Sequence, residues 1–157
     1  MKKIFILLMT LNSVLLMSCS EEGKPSEKVQ SNKMVSSTPQ TVNRNIDPIQ
    51  YSQGQKLFQQ NCSACHGAHG EGAKNWRTPD EQGKNPAPPL NGTGHTWHHS
   101  NQALINVIRN GTGKIGGNMP AWKDTLSDRE IKLILTWIKA QWPDELYTAW
   151  YNRFHQK

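Results

Sequence analysis

The sequence predicts an all-α fold, with three main helices and a C-terminal helical extension. Four segments repeat apolar residues at helical spacing, three of them behind recognisable caps, and no segment alternates in a β pattern. The third observation is a stretch of 33 residues, Gly67 to His99, rich in Gly, Pro and Asn and without periodicity. A structureless stretch of that length inside a compact domain calls for a function such as wrapping a ligand. Composition points the same way. The chain has 157 residues of which 35% are apolar, and its mean hydropathy is −0.71. That makes at most one ordinary domain with a thin core, and excludes a multidomain chain, a polytopic membrane protein and an enzyme with a large apolar interior. Residues 48–157 hold only 37 apolar residues among 110, so a group that is not an amino acid is expected to complete the core.

Residues 1–18 form a signal peptide. Lys2 and Lys3 make a positive start, and Ile4 to Met17 is an apolar run of 14 residues, too short to span a bilayer comfortably. The run ends in Leu16-Met17-Ser18-Cys19, which resembles the lipobox of bacterial lipoproteins. That resemblance implies cleavage before Cys19, acylation of its thiol, and a protein outside the cytoplasm, tied to a bacterial membrane and facing the periplasm. Several acyl chains give stable anchoring where one would not. Ser20 stands where an aspartate would signal inner-membrane retention, which favours the outer membrane if the host has one. Residues 19–47 then read as a lipidated N-terminus and flexible linker. In residues 20–47 four acids balance four bases, and such a coil spans about 30 Å on average and about 95 Å fully stretched.

The head, 48–157, starts behind Asp47-Pro48, an N-cap followed by proline at the first helical position. A first helix over about 48–61 carries Ile49, Tyr51, Leu57 and Phe58, with Gly54 between them. A second, about 101–110, follows Ser100, places Leu104, Ile105, Val107 and Ile108 at helical spacing, and stops at Gly111. The third opens on the capping box Ser127-Asp128-Arg129-Glu130 and continues through Ile131, Ile134, Leu135 and Ile138 towards Pro143. The fourth, about 144–155, sets Leu146, Trp150 and Phe154 at i, i+4 and i+8.

The motif that carries chemistry is Cys62-Ser63-Ala64-Cys65-His66. C-x-x-C-H is the attachment signature of c-type haem. Two thiols three apart at a helix end reach the two vinyl groups of one porphyrin as thioethers, and the adjacent histidine falls under the iron as proximal ligand. A redox dithiol would want a βαβ context. Half a zinc site would need partners such as His69 or His95. Export favours haem, and the cysteine arithmetic agrees: the three cysteines are used as Cys19 by lipid and Cys62 and Cys65 by haem. For the opposite face the sequence after the motif offers one methionine, Met119, in Gly116-Gly117-Asn118-Met119-Pro120-Ala121-Trp122. A Gly/Pro loop is poor core material, and a thioether suits an axial position. His69, His95, His98, His99 and His155 are the competing ligands.

These residues resemble the monohaem class I cytochromes c over about 48–143. The resemblance rests on Gly54 and Phe58, on the Cys62–His66 motif, on Pro88-Pro89-Leu90-Asn91-Gly92, on Met119-Pro120-Ala121-Trp122, and on Ile134 with Trp137. It implies a cytochrome c fold wrapped around one covalent haem c, with the first and third helices crossing so that Gly54 and Phe58 meet Ile134 and Trp137. It also implies a proline carbonyl that accepts from the proximal histidine Nδ1–H, matched best by Pro88 and next by Pro89. Trp97 either donates to a haem propionate or packs in the core. The departures from the family are the inserted polar loop from Asn75 to Asn85, the Gly94-His95-Thr96-Trp97-His98-His99 string, and the aromatic tail after Pro143.

Electron carriage rather than enzyme catalysis is the function expected, because a His66/Met119-ligated haem has no vacant position. The alternative is a ligand-binding or peroxidatic haem protein in which Met119 is labile. The head carries twelve bases against eight acids, a balance suited to weak, fast docking onto an acidic patch of a terminal oxidase, reductase or dehydrogenase. A monomer is expected, without nucleic-acid partners.

Overall fold

The computed structural model describes residues 41–155. The signal peptide, Cys19 and the linker as far as residue 40 lie outside the described residues. Among the described residues there are five α-helices: α1 (Pro48–Asn61), α2 (Ser63–His66), α3 (Asn101–Asn110), α4 (Asp128–Ala140) and α5 (Asp144–His155). Two single 3₁₀ turns, Thr96–His98 and Gly113–Ile115, interrupt the loops. The all-α expectation holds, and no described helix is long and apolar enough to cross a membrane.

Each long helix starts where its cap places it. Asp47 accepts from Ile49 N and Gln50 N ahead of α1, and Ser100 accepts from Ala103 N ahead of α3. Ser127 and Glu130 close the reciprocal capping box of α4. Helix α4 stops at Ala140, short of Pro143. Its terminal carbonyls have a partner outside the helix: Arg44 donates to Lys139 O at 3.1 Å, to Ala140 O at 3.3 Å and to Trp142 O at 2.6 Å. The same guanidinium pairs with Asp144 at 2.6 Å, in the first turn of α5, and lies over the Tyr147 ring. With Val42 N–H donating to Thr148 Oγ1 at 3.2 Å, this fixes residues 42–44 against α4 and α5. Residues 42–44, ahead of the expected start of the head at residue 48, are thus packed on it, and Arg44 adds to the C-cap of α4 that Gln141 N–H provides.

The core is built around α4, which buries Ile131, Leu133, Ile134, Leu135, Trp137 and Ile138. Helix α1 crosses it with Gly54 in contact. A Cβ on Gly54 would collide with Leu133 O, lie 2.8 Å from Leu133 C and sit 3.2 Å from Trp137 Cβ. One turn on, Phe58 is fully buried with its ring centroid 4.2 Å from that of Trp137. At the crossing Gly54 meets the Leu133 backbone and Trp137, and Phe58 shares the core with Ile134 and Trp137. Helix α3 adds Leu104, Ile105 and Ile108. Helix α5 buries Trp150 and lays Tyr147, Tyr151 and Phe154 against the core.

At Gly54 two effects oppose each other. Alanine would gain about 1 kcal/mol of helix propensity, but the collision with a helix backbone cannot be relieved by a rotamer change and costs about 1–3 kcal/mol or more. Gly54→Ala is expected to lower the unfolding temperature of the holoprotein in a thermal melt; an unchanged or raised value would show that the crossing is looser than the packing implies.

Candidate functional site

The two cysteines of the motif straddle a helix break. Cys62 leaves helical geometry at φ −120° and ψ −32°, ending α1 and starting the single turn α2. Its carbonyl accepts from His66 N at 2.9 Å, and Ser63 Oγ donates back to Gln59 O at 2.7 Å. Gly67, at φ +79°, terminates the turn. The result presents two cysteines, Cys62 half-buried and Cys65 exposed, followed by a buried imidazole. Burial pushes the Cys62 thiol up to about 11, with Cys65 adding in the same direction, so at neutral pH the thiol is protonated.

His66 Nδ1–H donates to Pro88 O at 2.9 Å. Of the two candidate prolines, Pro88 supplies the carbonyl, whereas Pro89 is buried and its carbonyl accepts from Thr96 Oγ1 at 3.3 Å. Burial lowers the imidazole pKa and the bond to Pro88 opposes that shift. The ring is therefore neutral at pH 7, with Nε2 as its one unprotonated nitrogen. The Pro88 carbonyl is held in turn by backbone pairing: Leu90 N donates to Gly70 O at 2.6 Å, Ala73 N to Ala87 O at 2.8 Å and Gly72 N to His66 O at 2.7 Å. Gly72, at φ +71°, approaches so closely that a Cβ would lie 2.6 Å from Pro88 C. Trp142 Nε1–H donates to Leu90 O at 2.8 Å, tying the end of α4 to this loop.

Met119 lies on the segment between α3 and α4, half-buried and packed against the core. Thr112 grips it from both sides. Its N–H donates to Met119 O and its Oγ1 accepts from Met119 N, each at 3.0 Å. Trp97 is half-buried in the 3₁₀ turn Thr96–His98, against the core and with its ring 3.8 Å from that of His98. Trp150 Nε1–H donates to His99 O at 2.9 Å and holds that turn from the α5 side. The rival ligands His69, His95, His98, His99 and His155 are all exposed. Among the described residues no cluster of three or more His, Cys, Asp or Glu side chains could hold a metal ion.

Two thiols, a neutral imidazole with Nε2 available and a half-buried thioether form a donor set that fits haem c. The sequence reading passed over Thr112, whose only signal is a hydroxyl residue directly after the glycine that stops α3. It also passed over Trp142 and Arg44, which act on the loop and helix ends from far along the chain. Thr112→Val removes the acceptor of Met119 N–H at near-constant volume. It is expected to cost about 1 kcal/mol, read as a lower urea midpoint at unchanged slope; an unaltered midpoint would mean that water replaces the hydroxyl without loss.

The family described as Cytochrome C oxidase, cbb3-type, subunit III matches residues 50–138. The chain is 33% identical over 96 residues to the cbb3-type cytochrome c oxidase subunit CcoP of Azospirillum brasilense, a match covering 60% of this chain and 30% of that protein. It is 26% identical over 129 residues to cytochrome c-551 of Bacillus subtilis (strain 168), covering 82% of this chain and 87% of that one. The chain thus spans about a third of the length of the CcoP relatives and most of the length of cytochrome c-551. Among solved structures it is similar to cytochrome cL of Methylophaga aminisulfidivorans MPT, at 22% identity and a TM-score of 0.46, covering 82% of this chain and 77% of that one.

Proposed function

The chain belongs to the Cytochrome C oxidase, cbb3-type, subunit III family, adopts an all-α cytochrome c fold and carries covalently bound haem c, and we propose that it carries single electrons between membrane-associated or periplasmic redox partners. The observation that carries this reading is the 2.9 Å hydrogen bond from His66 Nδ1–H to Pro88 O. It orients a neutral imidazole, raises the basicity of Nε2 and leaves that nitrogen free to bind iron. Cys62 and Cys65 are the thioether positions. Met119 is the second axial donor, held by Thr112, and its soft thioether favours the ferrous state. Bound haem c supplies a one-electron ferric–ferrous couple. His66 and Met119 would together hold the iron and leave no place on it for a substrate, as a carrier requires and an enzyme would not. Trp97 flanks the site as a propionate donor or as packing.

The partner class follows from the relatives and from charge. CcoP is named as a subunit of a cbb3-type cytochrome c oxidase, and a terminal oxidase is the electron acceptor we favour. The excess of bases in the head suits a short-lived encounter with an acidic surface. Cys19 as a lipidated N-terminus would keep the head within reach of such partners on one membrane, on its extracytoplasmic side.

Met119→Ala is expected to abolish the weak sulfur-to-iron absorption band of the ferric protein and to let the ferrous form bind carbon monoxide. A native protein that is already high-spin or binds carbon monoxide readily would support the peroxidatic reading instead. Reduced holoprotein is expected to transfer electrons to a purified cbb3-type oxidase at a rate that falls steeply with ionic strength; no transfer at low salt would remove the oxidase as partner. Cys19→Ala is expected to release the protein from membranes in a fractionation experiment, and unchanged retention would rule out the lipid anchor.

A further inference from the structure

The polar insertion after the Cys62–His66 motif crosses the molecule to the segment that carries Met119. Asn85 N–H donates to Gly116 O at 2.9 Å, and Asn85 forms an isolated parallel bridge with Gly117. Asn118 Nδ2–H donates to Asp80 Oδ2 at 3.1 Å. The other carboxylate oxygen of Asp80 accepts from Gln82 N at 3.0 Å and from Lys84 N at 2.8 Å. Asp80 N–H donates to Lys84 O at 2.8 Å. Asp80 is thus the knot of a tight turn and also the acceptor that reaches across to Asn118.

The segment it reaches has little else to hold it. Gly113, Lys114, Ile115 and Asn118 are exposed, Ile115 at 73%, and residues 113–118 bury no side chain. Their position depends on hydrogen bonds from two sides. Thr112 O accepts from Ile115 N and Gly117 N on one side, and Asp80 and Asn85 act from the other. A segment without buried apolar contacts opens at low free-energy cost once such bonds are removed.

We propose that residues 80–85 of the Asn75–Asn85 insertion form a strap that positions the Met119 loop, with Asp80 and Asn118 as its cross-link, so that the thioether stays at the iron and external ligands are kept out. The strap rests on the reading of Met119 as an axial ligand. An external ligand competes only for the open state, so its apparent affinity scales with the open fraction.

The test is titration of the ferric holoprotein with imidazole, comparing the native chain, Asn118→Ala, Asp80→Ala and the exchanged pair Asp80→Asn with Asn118→Asp. Loss of one such hydrogen bond corresponds to about threefold to tenfold in the open fraction, so both single variants are expected to bind imidazole tighter by that factor. The exchanged pair, which restores a bond of reversed polarity, returns towards the native value. Asn118→Ala and the exchanged pair keep the turn at residues 80–84, and carry the test if Asp80→Ala does not fold. Equal imidazole affinity in all the variants, with the sulfur-to-iron band intact, overturns the strap even if their unfolding temperatures fall, since that pattern means stability alone. A native protein without a sulfur-to-iron band overturns the Met119 reading itself, and the strap with it.

Discussion

The hydrogen bond between His66 and the Pro88 carbonyl is the constraint around which the rest of the fold is arranged. The two residues are 22 apart in sequence, so the chain must leave the helix end, turn, and return to the imidazole. It turns on glycines in left-handed geometry, Gly67, Gly70 and Gly72, where side-chain-bearing residues would be strained. Backbone pairing between the outgoing and returning strands of this loop then fixes the carbonyl without any sheet. On the other side of the imidazole, α2 follows α1 directly after Cys62, and Gly54 lets the backbone of α1 rest directly on α4. A burial contact between two helices is thereby transmitted to the orientation of one ring nitrogen.

The Met119 side is built on a different principle. His66 is buried and reached through helices, whereas Met119 sits in a segment whose neighbours are glycines and exposed polar residues. Besides its packing on the core, its backbone is held by directional bonds to Thr112, and Gly116 and Asn118 join its segment to the inserted loop. Hydrogen bonds exposed to water contribute less than buried apolar contacts, so His66 and the segment before Met119 are held in place by interactions of different strength.

What was legible in the sequence was local. Asp47, Ser100 and the Ser127–Glu130 box mark helix starts because a cap acts within four residues of itself. The Cys62–His66 motif is contiguous because one porphyrin face demands it. Pro88 could be singled out from Pro89 only through the family resemblance, since nothing in the local sequence says which carbonyl will face a ring far upstream. Thr112, Arg44 and the Asp80–Asn118 pair were not legible. Arg44 and Asp80 act on partners distant in sequence, as in the separation of 38 between Asp80 and Asn118; Thr112 acts seven residues away, and Ser, Thr, Asn and Asp occur too often in loops for identity alone to mark them. Arg44 was read as linker because its neighbours are polar. Only the fold reveals that α4 ends on carbonyls that need a donor.

The distribution of the core explains why the apolar deficit of the sequence is not spread evenly. Every buried apolar side chain of the core cluster comes from α1, α3, α4, α5 or the segments beside α4, and none from residues 67–99. Within that stretch the buried residues are Gly70, Pro89 and Thr96, which carry little apolar surface. Backbone pairing can give such a loop a shape but not a driving force, because each bond it makes replaces one to water and contributes about 1 kcal/mol. The apolar surface that orders 33 residues has to come from elsewhere. Leu90, Trp97, Met119 and Trp122 are only partly buried against the helices, and a covalently held porphyrin is large and flat enough to cover what they leave exposed. A group that supplies a redox couple can in this way also supply apolar surface for the folding of the loop.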